Sequence, residues 1–156
     1  MIDLEKGLYD YFLDMANLDQ WAAPYAVTLT LKPFSVFCRV PLNDSCASHN
    51  LTEFLGLLHN AFFSSNDMSN GNRIRCIPVL EIGEPTRYQL CLEKPAHIPE
   101  DLFMQETFDC WWATDFAHWD MEIKPADADW IRYLAKLQSD TSLPDALDWD
   151  NYWNPR

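Results

Sequence analysis

The sequence predicts an α+β fold. The arrangement is a ferredoxin-like split βαβ, with β-α-β-β-α-β order and an antiparallel sheet. An N-terminal helix is added before it, and a C-terminal helix plus tail after it. Three observations predict this. Apolar periodicity switches between helical and alternating spacing in that order along the chain. A turn at Gly83-Glu84-Pro85-Thr86 joins two β-rich runs as a hairpin. The chain has 156 residues, 48% of them hydrophobic, with seven Trp, nine Phe and six Tyr, so one domain with a real core is within reach.

The first helix is expected over residues 4–16, where Leu4, Leu8, Tyr11 or Phe12, and Met15 recur at helical spacing. Pro24 closes the connection. In 26–31, Val27, Leu29 and Leu31 alternate with Thr28 and Thr30, which is a strand with its apolar row on the core and its threonines facing away. Residues 35–40 read either as a short edge strand or as an extended loop. Asn50 with Glu53 has the spacing of a capping box, so a helix is expected to start there, with Leu51, Leu55, Leu58 and Phe62 on one face.

A Ser/Asn/Gly-rich loop follows at 64–72, then a β-rich run over 73–81 in which Pro78 argues for an edge strand or a bulge. After the turn, Tyr88, Leu90 and Leu92 point one way and Arg87, Gln89 and Cys91 the other. Pro99 in a first turn, followed by Glu100 and Asp101, starts another helix, with Leu102, Phe103, Phe108 and Trp112 as its apolar face. Residues 119–124 form the last strand. Asp127 or Asp129 caps a final helix carrying Trp130, Ile131, Leu134 and Leu137. Residues 1–138 make one domain, and 139–156 an acidic aromatic tail that either docks on a partner or folds back.

Composition limits function. The five cysteines are odd in number and lack CxxC spacing, so they read as buried reduced thiols. The four histidines have no zinc-ligand spacing. The N-terminus is not a signal peptide and no apolar run reaches membrane-span length, so a cytoplasmic protein without a membrane segment is expected. The net charge is -13. Residues 100–156 hold thirteen acids against four bases, whereas 21–99 hold six of each. Such a field repels nucleic acid and favours basic protein surfaces, so DNA binding is not expected.

Several motifs in order carry a family likeness. Residues 26–33, Ala-Val-Thr-Leu-Thr-Leu-Lys-Pro, are similar to a first strand. Residues 75–81, Arg-Cys-Ile-Pro-Val-Leu-Glu, are similar to the strand before a metal strand. Residues 87–95, Arg-Tyr-Gln-Leu-Cys-Leu-Glu-Lys-Pro, are similar to the metal strand itself. Residues 130–137, Trp-Ile-Arg-Tyr-Leu-Ala-Lys-Leu, are similar to a nucleophile helix. Over roughly 25–137 the chain resembles HUH-type rolling-circle replication initiators, the Rep endonucleases and relaxase-like proteins, above all the short Rep-like proteins of bacterial mobile elements and phages.

The resemblance implies a tyrosine nucleophile at Tyr133 with Lys136 as its companion, and a metal held by two histidines two residues apart. Here Arg87 and Gln89 stand at the histidine positions. Arginine has no lone pair to give a metal, and a lone glutamine carbonyl is a poor anchor for Mg or Mn. Tyr133 and Lys136 are therefore expected to be inactive relics and no metal cofactor is expected. Mg or Mn enters only if Glu81 and Glu93 supply a rebuilt site. Arg87, helped by Thr28, Thr30, Lys32 and Lys136, has a second reading as a phosphate grip without cleavage.

Three functions remain open. The first is a non-catalytic Rep-like protein that acts through its acidic surface on a basic protein or nucleic-acid-binding complex of the bacterial host. An anti-CRISPR or anti-restriction DNA mimic is its concrete form. The candidate surface is Glu100, Asp101, Glu106, Asp109, Asp115, Asp120, Glu122, Asp127 and Asp129, with Trp111, Trp112, Trp149 and Trp153 as anchors. The second is a divergent tyrosine-dependent rolling-circle endonuclease. The third is a module that binds single-stranded DNA without cleaving it.

Overall fold

The computed structural model describes residues 4–35, 37, 39–64, 73–139 and 146–154. The elements are α1 (Leu4–Met15), a 3-10 turn (Leu18–Gln20), β1 (Pro24–Leu31), α2 (Asp44–Phe62), β2 (Cys76–Glu81), β3 (Arg87–Glu93), α3 (Glu100–Trp112), β4 (Ala117–Pro125), α4 (Ala128–Ser139) and a second 3-10 turn (Trp149–Asn151). The strands form one four-stranded antiparallel sheet in the order β2-β3-β1-β4. This is the ferredoxin-like split βαβ, with α2 and α3 as its two crossover helices.

Strand alternation sorts the side chains into two layers. Tyr25, Val27, Leu29 and Leu31 of β1 join Tyr88, Leu90 and Leu92 of β3 on the face covered by α2 and α3. Leu51, Phe54, Leu55, Leu58 and Phe62 descend onto them from α2. Phe54 meets Trp111 edge to face at 5.5 Å, and Phe103 packs on both Tyr25 and Phe62. Burying each such ring contributes about 1.5–3 kcal/mol.

The opposite face, toward which the threonines were expected to point, is covered by the added helices. Phe12 and Met15 of α1, Ala16 just after it, and Ile131, Leu134 and Ala135 of α4 cover Ile77, Val79 and Cys91. Thr30 of β1 is also buried, at 1% exposure. On α1, Phe12 is the core residue and Tyr11 is exposed.

Two local expectations are corrected. The helix α2 starts at Asp44, not beside Asn50: Asn43 is its cap and accepts from Cys46 N at 2.7 Å. Asn50 lies buried in mid-helix, donating to Thr114 Oγ1 and accepting from Phe116 N, both at 3.0 Å. The α3 core stripe is Phe103, Thr107, Cys110 and Trp111, whereas Leu102, Phe108 and Trp112 are exposed. Thr107 fits in that stripe because its hydroxyl donates to Phe103 O at 2.6 Å. Pro99 precedes α3 as its cap residue. Asp127 caps α4, its Oδ1 accepting from Trp130 N.

Of the 35–40 stretch, the described residues Ser35, Phe37, Arg39 and Val40 lie in no strand, beside a Phe34–Pro41 bridge, and Val36 and Cys38 lie outside the described residues. The loop expected over 64–72 lies outside the described residues apart from Ser64. Pro78 stands on an edge strand, where its missing N–H faces outward. Residues 146–154 of the tail fold back on that edge: Cys76 and Trp153 exchange two backbone bonds, Leu80 N donates to Ala146 O, and Asp148 N donates to Pro78 O, while 140–145 and 155–156 lie outside the described residues. Cys76, Cys91 and Cys110 are buried free thiols and Cys46 is half-buried; Cys38 lies outside the described residues. No described helix is long and apolar enough to cross a membrane.

Candidate functional site

The covered sheet face ends beside a row of polar side chains from β1, β2, β3 and α4. Gln89 of β3 sits between Val79 of β2 and Thr28 of β1 in the ladder, and Glu81 pairs with Arg87. The α4 helix crosses above and brings Tyr133 down to Glu81. The result is one hydrogen-bond chain. Thr28 Oγ1 donates to Gln89 Oε1 at 2.6 Å, Gln89 Nε2 donates to Glu81 Oε1 at 3.2 Å, and Tyr133 OH donates to Glu81 Oε2 at 2.6 Å. Trp130, one turn back, tilts against Tyr133 at 5.5 Å and donates its indole N–H to Leu90 O.

This arrangement holds the Tyr133 proton. Desolvation, the hydrogen bond to Glu81 and the Glu81 charge raise its pKa to about 12; Arg87 pulls it down, by less. A phenolate beside a carboxylate is a like-charge pair, so the neutral form wins. A nucleophilic tyrosine needs the reverse bias. Tyr133 is 37% exposed, so it is reachable, but its hydroxyl is already committed.

The rebuilt metal site does not assemble. Glu81 lies at the Arg87 end of β3, whereas Glu93 lies at the other end, six residues along the strand and thus roughly 20 Å away. There Glu93 accepts from Ala22 N at 3.0 Å and pairs with Arg75 at 3.5 Å. The carbonyl oxygen of Gln89 faces Thr28 rather than an open coordination position. Among the described residues no three His, Cys, Asp or Glu side chains are grouped to hold a metal. The suggested phosphate grip also loses members: Thr28 is spent on Gln89 and Thr30 is buried. Lys136 is exposed one turn beyond Tyr133.

Seven of the nine candidate acids fall on three elements: Glu100, Asp101, Glu106 and Asp109 on α3, Asp120 and Glu122 on β4, and Asp129 on α4; Asp115 lies in the turn between α3 and β4, and Asp127 just before α4. Seven are exposed; Glu106 and Asp115 are half-buried. Asp115 accepts from Ser35 Oγ at 2.7 Å, so it serves the fold. Asp129 pairs with Arg132, and Glu122 with Lys124 at 3.5 Å. Asp127 and Asp129 line a cleft of about 280 Å³ with Lys124, Trp130 and Tyr133. Of the expected tryptophan anchors, Trp111 is core at 1% exposure, Trp153 is half-buried against Arg73, and Trp112 and Trp149 are exposed.

One polar cluster was not anticipated. Asp148 of the tail accepts from Tyr88 OH at 2.8 Å, Ser48 Oγ at 3.2 Å and Asn151 Nδ2 at 2.8 Å. Thr52 Oγ1 donates to Asn151 Oδ1 at 2.8 Å. Burial and the Asp148 charge drive the Tyr88 phenol far above its ordinary pKa. The cluster borders a hollow of about 640 Å³ with Asp44, His49 and Asp150 on its rim. The sequence signal for it was the aromatic run around Trp149, which marks a segment with surface to bury. Comparison with protein families, with curated proteins and with solved structures found no match.

Proposed function

We propose that this chain is a non-catalytic, Rep-like protein of a mobile element that works in the bacterial cytoplasm through its acidic surface. Its target is a basic, nucleic-acid-binding complex of the host, and occupying that complex's DNA groove inhibits it, as an anti-CRISPR or anti-restriction DNA mimic does. The observation that carries this reading is the surface of residues 100–129. Seven of the nine candidate carboxylates are exposed, and the same stretch exposes Trp112 at 54% and Trp119 at 69%. Spaced carboxylates match a basic groove electrostatically, and exposed indoles supply the large anchors that dominate binding energy. The committed hydroxyl of Tyr133 supports the non-catalytic half of the reading.

The test is capture of partners from a bacterial lysate with the wild-type chain and with Asp101, Asp109, Asp127 and Asp129 all changed to Lys. A basic nucleic-acid-binding protein retained by the wild type and lost by the variant is the expected result. Undiminished capture by the variant rules this surface out.

One observation favours a second reading. The 2.6 Å contact of Tyr133 with Glu81 is also a nucleophile-to-base distance. A divergent endonuclease of this kind forms a covalent adduct with labelled single-stranded DNA in Mg or Mn, lost in Tyr133→Phe. Absence of any adduct ends that reading.

A further inference from the structure

The sheet has two outer edges, and the chain covers one of them. The β2 edge is closed by residues 146–154 through backbone bonds at Cys76, Pro78 and Leu80. The other edge is β4, nine residues long, and no described strand or bridge pairs with its outer side. A free edge strand offers a row of N–H and C=O groups that another strand can match.

The ladder fixes which groups those are. Ala126 N donates to Pro24 O at 3.0 Å. Antiparallel alternation from that bond turns the peptide groups of Lys124 and Glu122 toward β1 and those of Met121, Ile123 and Pro125 outward. Met121 and Ile123 therefore offer a donor and an acceptor each, and Pro125 an acceptor alone. Toward the start of the strand the register with β1 shifts between Leu29 and Leu31, and Asp120 N is taken by His118 Nδ1 at 3.0 Å. The regular free edge thus runs from Met121 to Pro125.

We infer that this edge pairs antiparallel with the same edge of a second copy, about a two-fold axis at Ile123, joining the two sheets into one. Charge selects the register. With the axis at Ile123, Glu122 stands opposite the partner's Lys124, and Lys124 opposite the partner's Glu122. Met121 N then faces the carbonyl of the partner's Pro125, while the Met121 carbonyl, opposite a proline with no N–H, stays with water at the end of the ladder. Moving the axis to Met121 sets Asp120 against Glu122. Moving it to Glu122 or Lys124 sets that residue against its own copy. Like charges directly opposite one another destabilise a strand pair, and opposite charges stabilise it. Glu122 and Lys124 are both exposed, at 67% and 59% of their side chains, and pair with each other at 3.5 Å within the strand, a solvent-exposed contact that the partner's residues would replace. The pairing rests on the sheet edge, not on the function proposed above, and the acids chosen for the capture experiment lie outside it.

Sedimentation velocity over a concentration series up to about 1 mM, the weak limit of specific association, tests it. The wild type is expected to dimerise. Glu122→Lys alone and Lys124→Glu alone should each weaken the dimer about tenfold, and the double swap should restore it. Ile123→Pro deletes an outward N–H and should abolish pairing, with far-ultraviolet circular dichroism reporting whether that variant still folds. A wild type that stays monomeric throughout overturns the inference. So does a dimer that the single reversals leave unchanged.

Discussion

Tyr133 on α4 donates its hydroxyl to Glu81 at the end of β2, 2.6 Å away, and by that bond the last helix is tied to the sheet edge. The same carboxylate receives Gln89, which receives Thr28. Four side chains from four elements are thus joined by hydrogen bonds alone. Replacing Tyr133 by Phe should leave the fold intact and cost roughly 0.5–1.5 kcal/mol, the usual net value of one hydrogen bond. Urea unfolding of the two proteins measures the difference.

That contribution depends on pH in a defined direction. The folded-state pKa of Tyr133 is raised, to about 12, above an ordinary value near 10. Its stabilisation is therefore complete below about pH 10 and is lost as pH rises toward 12. The stability gap between wild type and Tyr133→Phe should stay level from neutrality to pH 9 and shrink beyond pH 10. Ultraviolet titration of Glu81→Gln should find the Tyr133 step moved down toward 10. An unmoved step would show that burial alone sets the shift.

Asn50 bridges α2 to the turn after α3 through Thr114 and Phe116. Asn50→Ala strands a buried backbone N–H and should destabilise the protein by about 1–3 kcal/mol. A thermal melt showing no change would mean that Phe116 N finds another partner.

Two neighbouring tryptophans should separate stability from binding. Trp111 is core, packed on Phe54, and Trp111→Ala should cost about 3–5 kcal/mol. Trp112 is exposed, so Trp112→Ala should change stability by no more than about 0.5 kcal/mol while weakening capture of the partner. Equal effects of both changes on stability alone would remove Trp112 from the interface.

The fold was legible where a single period dominated. The Val27, Leu29, Leu31 alternation and the Tyr88, Leu90, Leu92 row each placed a strand face correctly, and Pro78 marked an edge. Local patterns misled where a polar side chain had a distant partner. Asn50 with Glu53 has capping-box spacing, yet its amide serves Thr114 and Phe116, far along the chain. The cap is Asn43, whose third following residue is Cys46 rather than Glu or Gln, so it gave a weaker sign. Thr107 broke the apolar count on α3 and shifted the predicted stripe by one position. At the candidate site, the sequence named Tyr133, Gln89, Arg87 and Glu81 but not their order of contact. That order depends on where α4 crosses the second sheet face, and no local pattern encodes it. Glu93 was grouped with Glu81 by motif, but six residues of extended strand hold them apart.

The central reading is that carboxylates on α3, β4 and α4 occupy a basic DNA groove. The most direct measurement is a competition assay on the captured host protein, with labelled DNA displaced by increasing amounts of this chain. Wild type should release the DNA, and the fourfold Asp→Lys variant should fail to release it at any matched concentration. DNA that stays bound in the presence of saturating wild-type chain contradicts the reading, as does release that the variant performs equally well.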